Sequence, residues 1–404
     1  MSPSDRPRAA GPVFALALLT TTVIPEASPG SLLWTAPSIL VASMLIAWAA
    51  ESAQFFIAQG FALAILAWLQ TLPEFAVEAV LAYKQQVPLL MANLTGALRL
   101  LTGLGWPLIY FTSAFFHRRK RKRRMLEIHL ADEHAIEVVG LAACLPYIAF
   151  ICAKGSLHLY DAAVLIAIYV GYLLILRRMP ATDTENIDDL EKVPRAIVCA
   201  PRGKRIAAIT VLFIAGGGLI YFMAEPFLAS LLAVSAAVGI PTFVFVQWVA
   251  PFVSEFPEKV SAFYWARTVD RASMALMNMV SSNINQWTLL AAMLPIVYSI
   301  SRGAVSAIPL DDRQQVELLM TLGQSLLSVI FLADMRLRWW EAGGLFGMWL
   351  FQFALSPLEG RVHVWTTVVY FAWSAVELVR MLAGRRRPEA FRLFGVMWAR
   401  HVAR

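Results

Sequence analysis

The stretch WLQTLPEFAVEAVLA, residues 68–82, places Pro73 and Glu74 inside one of the most apolar parts of the chain. The stretch VSEFPEKVSAFYWA, residues 253–266, repeats the proline–glutamate pair in the second half. A proline lacks a backbone N–H and breaks or kinks a helix, which frees backbone carbonyls. In a membrane, such carbonyls are tolerated only where protein or a water-filled cavity satisfies them. A cation is another partner for them, and the neighbouring glutamate supplies the charge that a cation requires.

The composition is that of an integral membrane protein. Of the 404 residues, 59% are hydrophobic and 15% are charged, whereas about a quarter of the residues of a soluble domain are charged. Runs such as 32–49 and 206–223 are long enough to cross a hydrocarbon core of roughly 30 Å as helices. The net charge of +7 comes from basic clusters between or after apolar runs. That placement is typical of cytoplasmic loops and does not indicate a nucleic-acid partner.

The spacing of the apolar runs predicts a polytopic topology. Twelve helices are expected near 11–27, 32–57, 60–83, 86–115, 134–153, 158–176, 206–238, 240–265, 272–300, 314–333, 339–356 and 363–383. With the N-terminus inside, the predicted cytoplasmic segments hold 27 of the 34 lysines and arginines, and the outside loops hold 5. This bias predicts cytoplasmic N- and C-termini. We expect an integral membrane protein of a bacterial inner membrane.

The two proline–glutamate helices are predicted to have opposite orientations. A polar linker at 177–205 divides the chain, and an odd number of crossings separates the two helices. Transporters place their binding sites where such inverted repeats meet. An ionised carboxylate is costly at this depth, so Glu74 and Glu258 are predicted to be functional. The alternative is a structural kink whose glutamate pairs with Arg99 or Lys259.

These elements resemble the cation/Ca²⁺ antiporters, the superfamily that includes the sodium/calcium exchangers. That family has two inverted repeats, each with a helix bearing G-T-S-L-P-E and a following helix bearing G-N-x-x-G-S-N-x-x-N or D. Glu74 and Asn93 are 19 residues apart here, and Glu258 and Asn278 are 20 apart. The corresponding stretches are LQTLPE (69–74), ANLTGALRLL (92–101), VSEFPE (253–258) and MNMVSSNINQ (277–286).

The resemblance implies an all-α polytopic membrane protein, an inverted repeat of two five-helix halves that form a ten-helix core, plus about two extra helices. The implied divisions are an N-terminal extra helix (1–31), a first exchanger-like repeat (32–176), a cytoplasmic linker (177–205), a second, inverted repeat (206–356), and an extra C-terminal helix with a basic cytoplasmic tail (357–404).

The resemblance also implies a cation site at mid-membrane. In the family, the two glutamates bind the divalent ion and are shared with flanking Na⁺ sites, while hydroxyl, amide and backbone oxygens complete the coordination. Glu74 and Glu258 are the expected metal ligands. The other expected ion-binding residues are Thr71, Asn93, Ser254, Glu255, Asn278, Ser282, Asn283 and Gln286. No cofactor is expected besides the transported cation, such as Ca²⁺, Na⁺ or H⁺. The expected partners are inorganic cations and the lipid bilayer, and the oligomeric state is open.

Several positions depart from the family pattern. Ala97 and Leu101 stand where the family has a serine and an asparagine, and neither can ligate a cation. Glu255 adds a carboxylate, and Arg99 lies too deep to reach water fully. Close carboxylates cannot all ionise easily, and a fixed cation can replace a transported one, so both features suggest proton coupling. The alternative is a structural Arg99–Glu255 bridge, whereas Lys259 is expected to extend to the membrane surface.

Three functions therefore remain open from the sequence. The first is a secondary antiporter of the sodium/calcium exchanger type, which moves a cation by alternating access past Glu74 and Glu258. The second is an antiporter on the same fold that exchanges sodium, or another monovalent cation, for protons. The third is a structural or sensory membrane protein derived from an exchanger. An enzyme is not expected, because the chain has no P-loop, H-E-x-x-H or G-x-S-x-G motif.

Overall fold

The computed structural model describes residues 28–56, 67–179, 187, 190–356 and 360–403, so the expected first helix at 11–27 lies outside the described residues. The helices are α1 (Leu32–Ala53), α2 (Leu72–Tyr83), α3 (Val87–Leu100), α4 (Trp106–Arg121), α5 (Ala135–Lys154), α6 (Leu159–Leu176), α7 (Lys192–Val198), α8 (Arg202–Val238), α9 (Thr242–Ser254), α10 (Phe256–Thr268), α11 (Ala272–Asn285), α12 (Ala291–Arg302), α13 (Asp312–Leu332), α14 (Trp339–Leu355), α15 (Arg361–Leu382) and α16 (Glu389–His401). The strands are β1 (Glu127–His129), β2 (Ser156–Leu157), β3 (Ile308–Pro309) and β4 (Arg336–Arg338).

Every expected apolar run after the first contains a helix in the described part of the chain. Seven continuous helical spans there are long and apolar enough to cross a membrane, and one of them, Val87–Arg121, runs from α3 through α4. The number is lower than the number of expected runs because residues 11–27 and 57–66 lie outside the described part of the chain and because some runs contain shorter consecutive helices, such as α9 followed by α10. The linker helix α7 and the tail helix α16 are additional, since the sequence interpretation assigned both regions as loops.

Both proline–glutamate elements are discontinuous helices. In the first half, residues 67–70 are helical, the helix breaks at Thr71, and α2 begins at Leu72. In the second half, α9 ends at Ser254 and α10 begins at Phe256. The backbone angles at the two breaks nearly coincide, with φ −86° and ψ −3° at Thr71 and φ −92° and ψ 3° at Glu255. These angles lie in the sparsely allowed bridge region, where many active-site residues are found.

The helix that follows each broken helix contains a turn of π-helix. Leu101–Gly105 forms this turn between α3 and α4, and Gln286–Leu290 forms it between α11 and α12. Single π turns inside α-helices frequently occur at functional sites. The two halves therefore share a helix break and a π turn in the same order, which confirms the internal repeat.

Two short antiparallel strand pairs connect the halves. β1 pairs with β4, and β2 pairs with β3. Because β1 and β2 lie at opposite ends of α5, the two pairs lie on opposite faces of the helical bundle. The loops that the lysine and arginine count assigned to the same side, those around Arg118–Arg124 and Arg336–Arg338, are thus brought together.

Candidate functional site

Glu74 and Glu258 each lie in the first turn of the helix that follows a break. Glu74 is in the first turn of α2, Glu258 is in the first turn of α10, and both side chains are fully buried. The N-terminus of a helix carries a partial positive charge that favours an anionic side chain. A broken helix inside a bundle therefore provides a place where a carboxylate can be held away from water.

The amide of Gln286 connects the two halves. Its Nε2 atom donates to Glu74 Oε2 at 2.6 Å and to Glu255 Oε1 at 2.7 Å. Gln286 is the first residue of the second π turn, so the widened helix directs this side chain toward both broken helices. Glu74, Glu255 and Glu258 are close enough to interact electrostatically, as is Glu78, one turn further along α2. The four carboxylates thus form one acidic cluster at the meeting point of the repeats.

Glu258 differs from Glu74 in its surroundings. Neither of its carboxylate oxygens has a hydrogen-bond partner among the described residues, although Ser282 of α11 lies beside it. The internal repeat explains the difference, because Leu101 begins the first π turn where Gln286 begins the second. A leucine cannot donate the hydrogen bond that Gln286 donates to Glu74.

The acidic cluster and the helices beside it contain buried oxygen atoms that accept no hydrogen bond from the described residues. They are Glu74 Oε1, Glu78 Oε2, Asn93 Oδ1, both carboxylate oxygens of Glu258, Asn278 Oδ1, Ser282 Oγ, Asn283 Oδ1, Asn285 Oδ1 and Gln286 Oε1. Buried polar atoms are nearly always hydrogen-bonded, so such a concentration requires an explanation. Carboxylate, amide and hydroxyl oxygens are the ligands that Ca²⁺ prefers.

A hydrogen-bonded chain fixes the first broken helix against the second repeat. Asn285 Nδ2 lies 2.5 Å from Thr71 Oγ1, at the helix break itself. Asn278 Nδ2 donates to Gln70 Oε1 at 3.2 Å, and Gln70 donates to Ser261 Oγ at 3.4 Å. The chain ends where the Ser261 hydroxyl donates to Glu51 Oε1 at 2.8 Å. These contacts hold the amide groups of Asn278 and Asn285, whose oxygens accept no hydrogen bond from the described residues.

Three of the predicted ligands make their contacts within their own repeat. Asn93 Nδ2 donates to Glu78 Oε1 at 3.1 Å, so its oxygen stays free. The Ser254 hydroxyl donates to the Ala250 carbonyl at 3.1 Å, and Asn283 Nδ2 donates to the Met279 carbonyl at 3.3 Å. Ser254 is therefore turned toward its own helix, whereas Asn93 belongs to the acidic cluster through Glu78.

The expected roles of the two buried cations are wrong in the structure. Arg99 does not pair with Glu255: its Nη2 atom lies 2.7 Å from Glu317 Oε2 on α13, and both side chains are at most 1% exposed. Lys259 does not extend to the surface. It is 5% exposed, and its Nζ atom lies 2.5 Å from Glu255 Oε2. The fixed positive charge in the acidic cluster is therefore Lys259, which the Glu–x–x–x–Lys spacing of 255 and 259 would have indicated.

The geometry supports a site built from mixed oxygen ligands. In the part of the chain that the structure describes, no three histidine, cysteine, aspartate or glutamate side chains form a metal site by themselves. Amide and hydroxyl oxygens would have to complete the coordination of any cation held by Glu74 and Glu258. Hard cations such as Ca²⁺ accept six to eight oxygen ligands of this kind.

Two neighbours of the cluster were missed by the sequence interpretation, and helical spacing could have found both. Glu78 lies four residues after Glu74, which places the two carboxylates on the same face of α2. Asn285 lies seven residues after Asn278, so both amides share the face of α11 that meets the first repeat.

Comparisons with known proteins agree with this architecture. The family model for the sodium/calcium exchanger protein matches residues 28–177 and 208–356. The solved H⁺/Ca²⁺ exchanger CAX is 31% identical, with a TM-score of 0.84 over 96% of this chain and 97% of that chain. No curated protein sequence matches significantly.

Two more distant solved structures share the fold. YfkE is 13% identical, with a TM-score of 0.59 over 89% of this chain and 99% of that chain. The sodium-calcium exchanger NCX_Mj is 18% identical, with a TM-score of 0.52 over 85% of this chain and 98% of that chain. The expected all-α fold with two inverted halves is confirmed.

Proposed function

The chain belongs to the sodium/calcium exchanger protein family, and we propose that it exchanges Ca²⁺ for protons across a bacterial inner membrane. The family consists of cation antiporters embedded in membranes. The proposed site lies between the two broken helices, with Glu74 and Glu258 as the anionic ligands. The loops rich in lysine and arginine, and both termini, are proposed to face the cytoplasm.

The state of Glu258 carries the proposal. Its carboxylate is fully buried and makes no direct hydrogen bond of normal geometry with the described residues, while the Ser282 hydroxyl and the charges of Glu255 and Lys259 lie close to it. A buried carboxylate without a partner is strongly disfavoured while it is ionised. It must therefore bind a proton or a cation, and alternation between those two conditions is what a cation/proton exchanger requires.

Two features favour Ca²⁺ and protons over Ca²⁺ and sodium. Ala97 and Leu101 supply no side-chain oxygen where the family pattern has ligands, which removes candidate sodium ligands from the first repeat. In addition, the 31% identity to the H⁺/Ca²⁺ exchanger CAX extends over nearly the whole chain, whereas identity to the sodium-calcium exchanger NCX_Mj is 18%.

The proposed cycle uses the residues of the acidic cluster in two ways. When Ca²⁺ is bound, Glu74 Oε1, the Glu258 carboxylate and the free amide oxygens of α11 are its proposed ligands. When Ca²⁺ leaves, protons neutralise the carboxylates, because several like charges this close are disfavoured together. The half-helices that hold the two glutamates are the elements that would open the site to one side and then the other.

Transport in proteoliposomes tests this function. We expect an inside-acidic pH gradient to drive Ca²⁺ uptake and the uptake to alkalinise the lumen, with the same result when choline replaces Na⁺. Glu74→Gln and Glu258→Gln should each reduce the uptake rate by at least about tenfold, since each removes an anionic ligand. Glu225→Gln is the matched control, because Glu225 is an exposed carboxylate paired with Lys84 away from the cluster.

The alternatives give different results in the same assay. Ca²⁺ uptake that requires a Na⁺ gradient and leaves the internal pH unchanged would make the protein a sodium/calcium exchanger. A pH change that follows Na⁺ or another monovalent cation without Ca²⁺ would support a monovalent cation/proton antiporter. The absence of flux from folded protein would support a descendant that no longer transports, and normal flux in both glutamine variants would overturn the site assignment.

A further inference from the structure

Lys259 is a positive charge placed inside the acidic cluster. It follows Glu258 directly in the first turn of α10 and is 5% exposed. Its ammonium contacts Glu255 Oε2 at 2.5 Å, one helical turn earlier at the helix break. A lysine so far from water is costly unless it is paired, so this pair is a built-in feature of the site.

The two oxygens of Glu255 are both occupied by the protein itself. Lys259 holds Oε2, and Gln286 donates to Oε1 while also donating to Glu74. Glu258, three residues away on α10, has both oxygens free. The cluster therefore contains one carboxylate that is neutralised from within the chain and another that is open to an external cation.

We propose that Lys259 is a specificity-determining residue that excludes sodium from the site. Its ammonium occupies the position beside Glu255 in which a monovalent cation would otherwise bind. The lysine carries one positive charge and three N–H donors, so it satisfies Glu255 as a bound Na⁺ would. The inference rests on the proposed Ca²⁺ site, and it assigns the neighbouring monovalent position to a side chain.

The replacement of Lys259 should therefore create a sodium-binding position. In Lys259→Gln, Glu255 keeps its charge, its Gln286 contact and a neighbouring amide oxygen, but it loses its cation. We expect Na⁺ to raise the melting temperature of this variant relative to choline at the same ionic strength, because a ligand that binds the folded state stabilises it. The Na⁺ concentration that halves ⁴⁵Ca²⁺ binding should fall at least about tenfold compared with the wild type, as expected when a unit charge is removed from a poorly solvated site.

Two further variants separate charge from shape. Lys259→Arg keeps the positive charge and should remain indifferent to Na⁺. The double variant Lys259→Gln/Glu255→Gln removes both charges, so its melting temperature should show no Na⁺ response. Lys84→Gln is the matched control, because it breaks an ion pair of the same 2.5 Å length at an exposed position.

Each result decides the proposal. Folded Lys259→Gln protein with no Na⁺ response would overturn it, and so would a wild-type protein that Na⁺ stabilises to the same degree. If Lys259→Gln cannot be obtained folded, the double variant decides, because a Na⁺ response without the Glu255 charge would contradict the assignment. If the wild type binds no Ca²⁺, the proposed function fails, while the Na⁺ dependence of the melting temperatures still tests Lys259 separately.

Discussion

Replacement of Arg99 by methionine tests whether this buried arginine is structural or part of the cation site. Arg99 Nη2 lies 2.7 Å from Glu317 Oε2, and Arg99 also lies over the Trp248 ring at 5.3 Å from its centroid. Glu317 has two further partners, His363 Nδ1 at 2.8 Å and Gln247 Nε2 at 2.9 Å. The pair thus joins α3, α9, α13 and α15 in the interior, away from Glu74 and Glu258.

The expected cost follows from the burial of both charges. The loss of one member of a buried ion pair costs about 3–5 kcal/mol, because the other charge is left uncompensated. The remaining partners of Glu317 place the expected loss for Arg99→Met near the lower end, at about 3 kcal/mol. The shift in melting temperature is the lost free energy divided by the entropy of unfolding, which is about 2.1 cal/mol/K per residue, so we expect a decrease of about 3–4 °C in this 404-residue chain.

Thermal unfolding in detergent measures this change, and ⁴⁵Ca²⁺ binding accompanies it. Arg99→Met should melt earlier and yet bind Ca²⁺ within about threefold of the wild type. The double variant Arg99→Met/Glu317→Gln should recover more than half of the lost stability, because neither charge is then left alone. Arg121→Met is the control, since Arg121 and Asp270 form an exposed pair that is expected to contribute at most about 1 kcal/mol. Unchanged stability together with altered Ca²⁺ or Na⁺ selectivity would refute this reasoning and would indicate that Arg99 is part of the cation site.

Two further predictions concern packing and orientation. A Cβ atom on Gly96 would lie 1.9 Å from the backbone oxygen of Gln247, so Gly96→Ala should separate α3 from α9 and lower the melting temperature. Gly171→Ala is the control and should leave the melting temperature unchanged or raise it slightly, because no atom lies within 4 Å of a Cβ at that position and alanine favours the helix by about 1 kcal/mol. Equal effects of the two substitutions would contradict the close contact between α3 and α9. Cys199 is exposed in the linker while the other two cysteines are buried, so a membrane-impermeant maleimide should label it in inverted membrane vesicles and not in intact spheroplasts. The opposite pattern would reverse the proposed orientation, and Cys199→Ser provides the blank.

The fold was largely predictable because apolar length and charge placement are local features of the sequence. A run of about 20 apolar residues predicts a crossing wherever it occurs, and basic loops predict its direction. The helix breaks were also predictable, since Pro73 removes a backbone N–H directly before a buried charge. Proline alone is not sufficient, because Pro226 lies inside the continuous helix α8. The π turns at Leu101–Gly105 and Gln286–Leu290 were not, because no residue type marks the insertion of one extra residue into a helix.

Several members of the acidic cluster were predictable, and their contacts were less so. Glu74, Glu258 and Gln286 were identified from position, but the partners of Arg99 and Lys259 depend on side-chain direction. The Arg99 side chain does not join Asn93 at the acidic cluster. It contacts Glu317, a residue more than two hundred positions later in the chain. Motif spacing within one repeat carries no information about such a contact, whereas the four-residue spacing of Glu255 and Lys259 did carry it.

The two halves differ at the positions that line the site, so their carboxylates are not equivalent. Thr71 and Glu255 occupy the two helix breaks, and Leu101 and Gln286 begin the two π turns. Glu255 stands where the first repeat has the neutral Thr71, and Gln286 stands where it has the apolar Leu101. These two differences place polar atoms around Glu255 and give Glu258 no counterpart of the Gln286 hydrogen bond. A symmetric pair of repeats would offer two equivalent carboxylates, and therefore two equivalent monovalent positions. In the proposed site, Lys259 instead fills the position beside Glu255 and Glu258 remains for a cation or a proton, which is the arrangement that the proposed exchange of Ca²⁺ for protons requires.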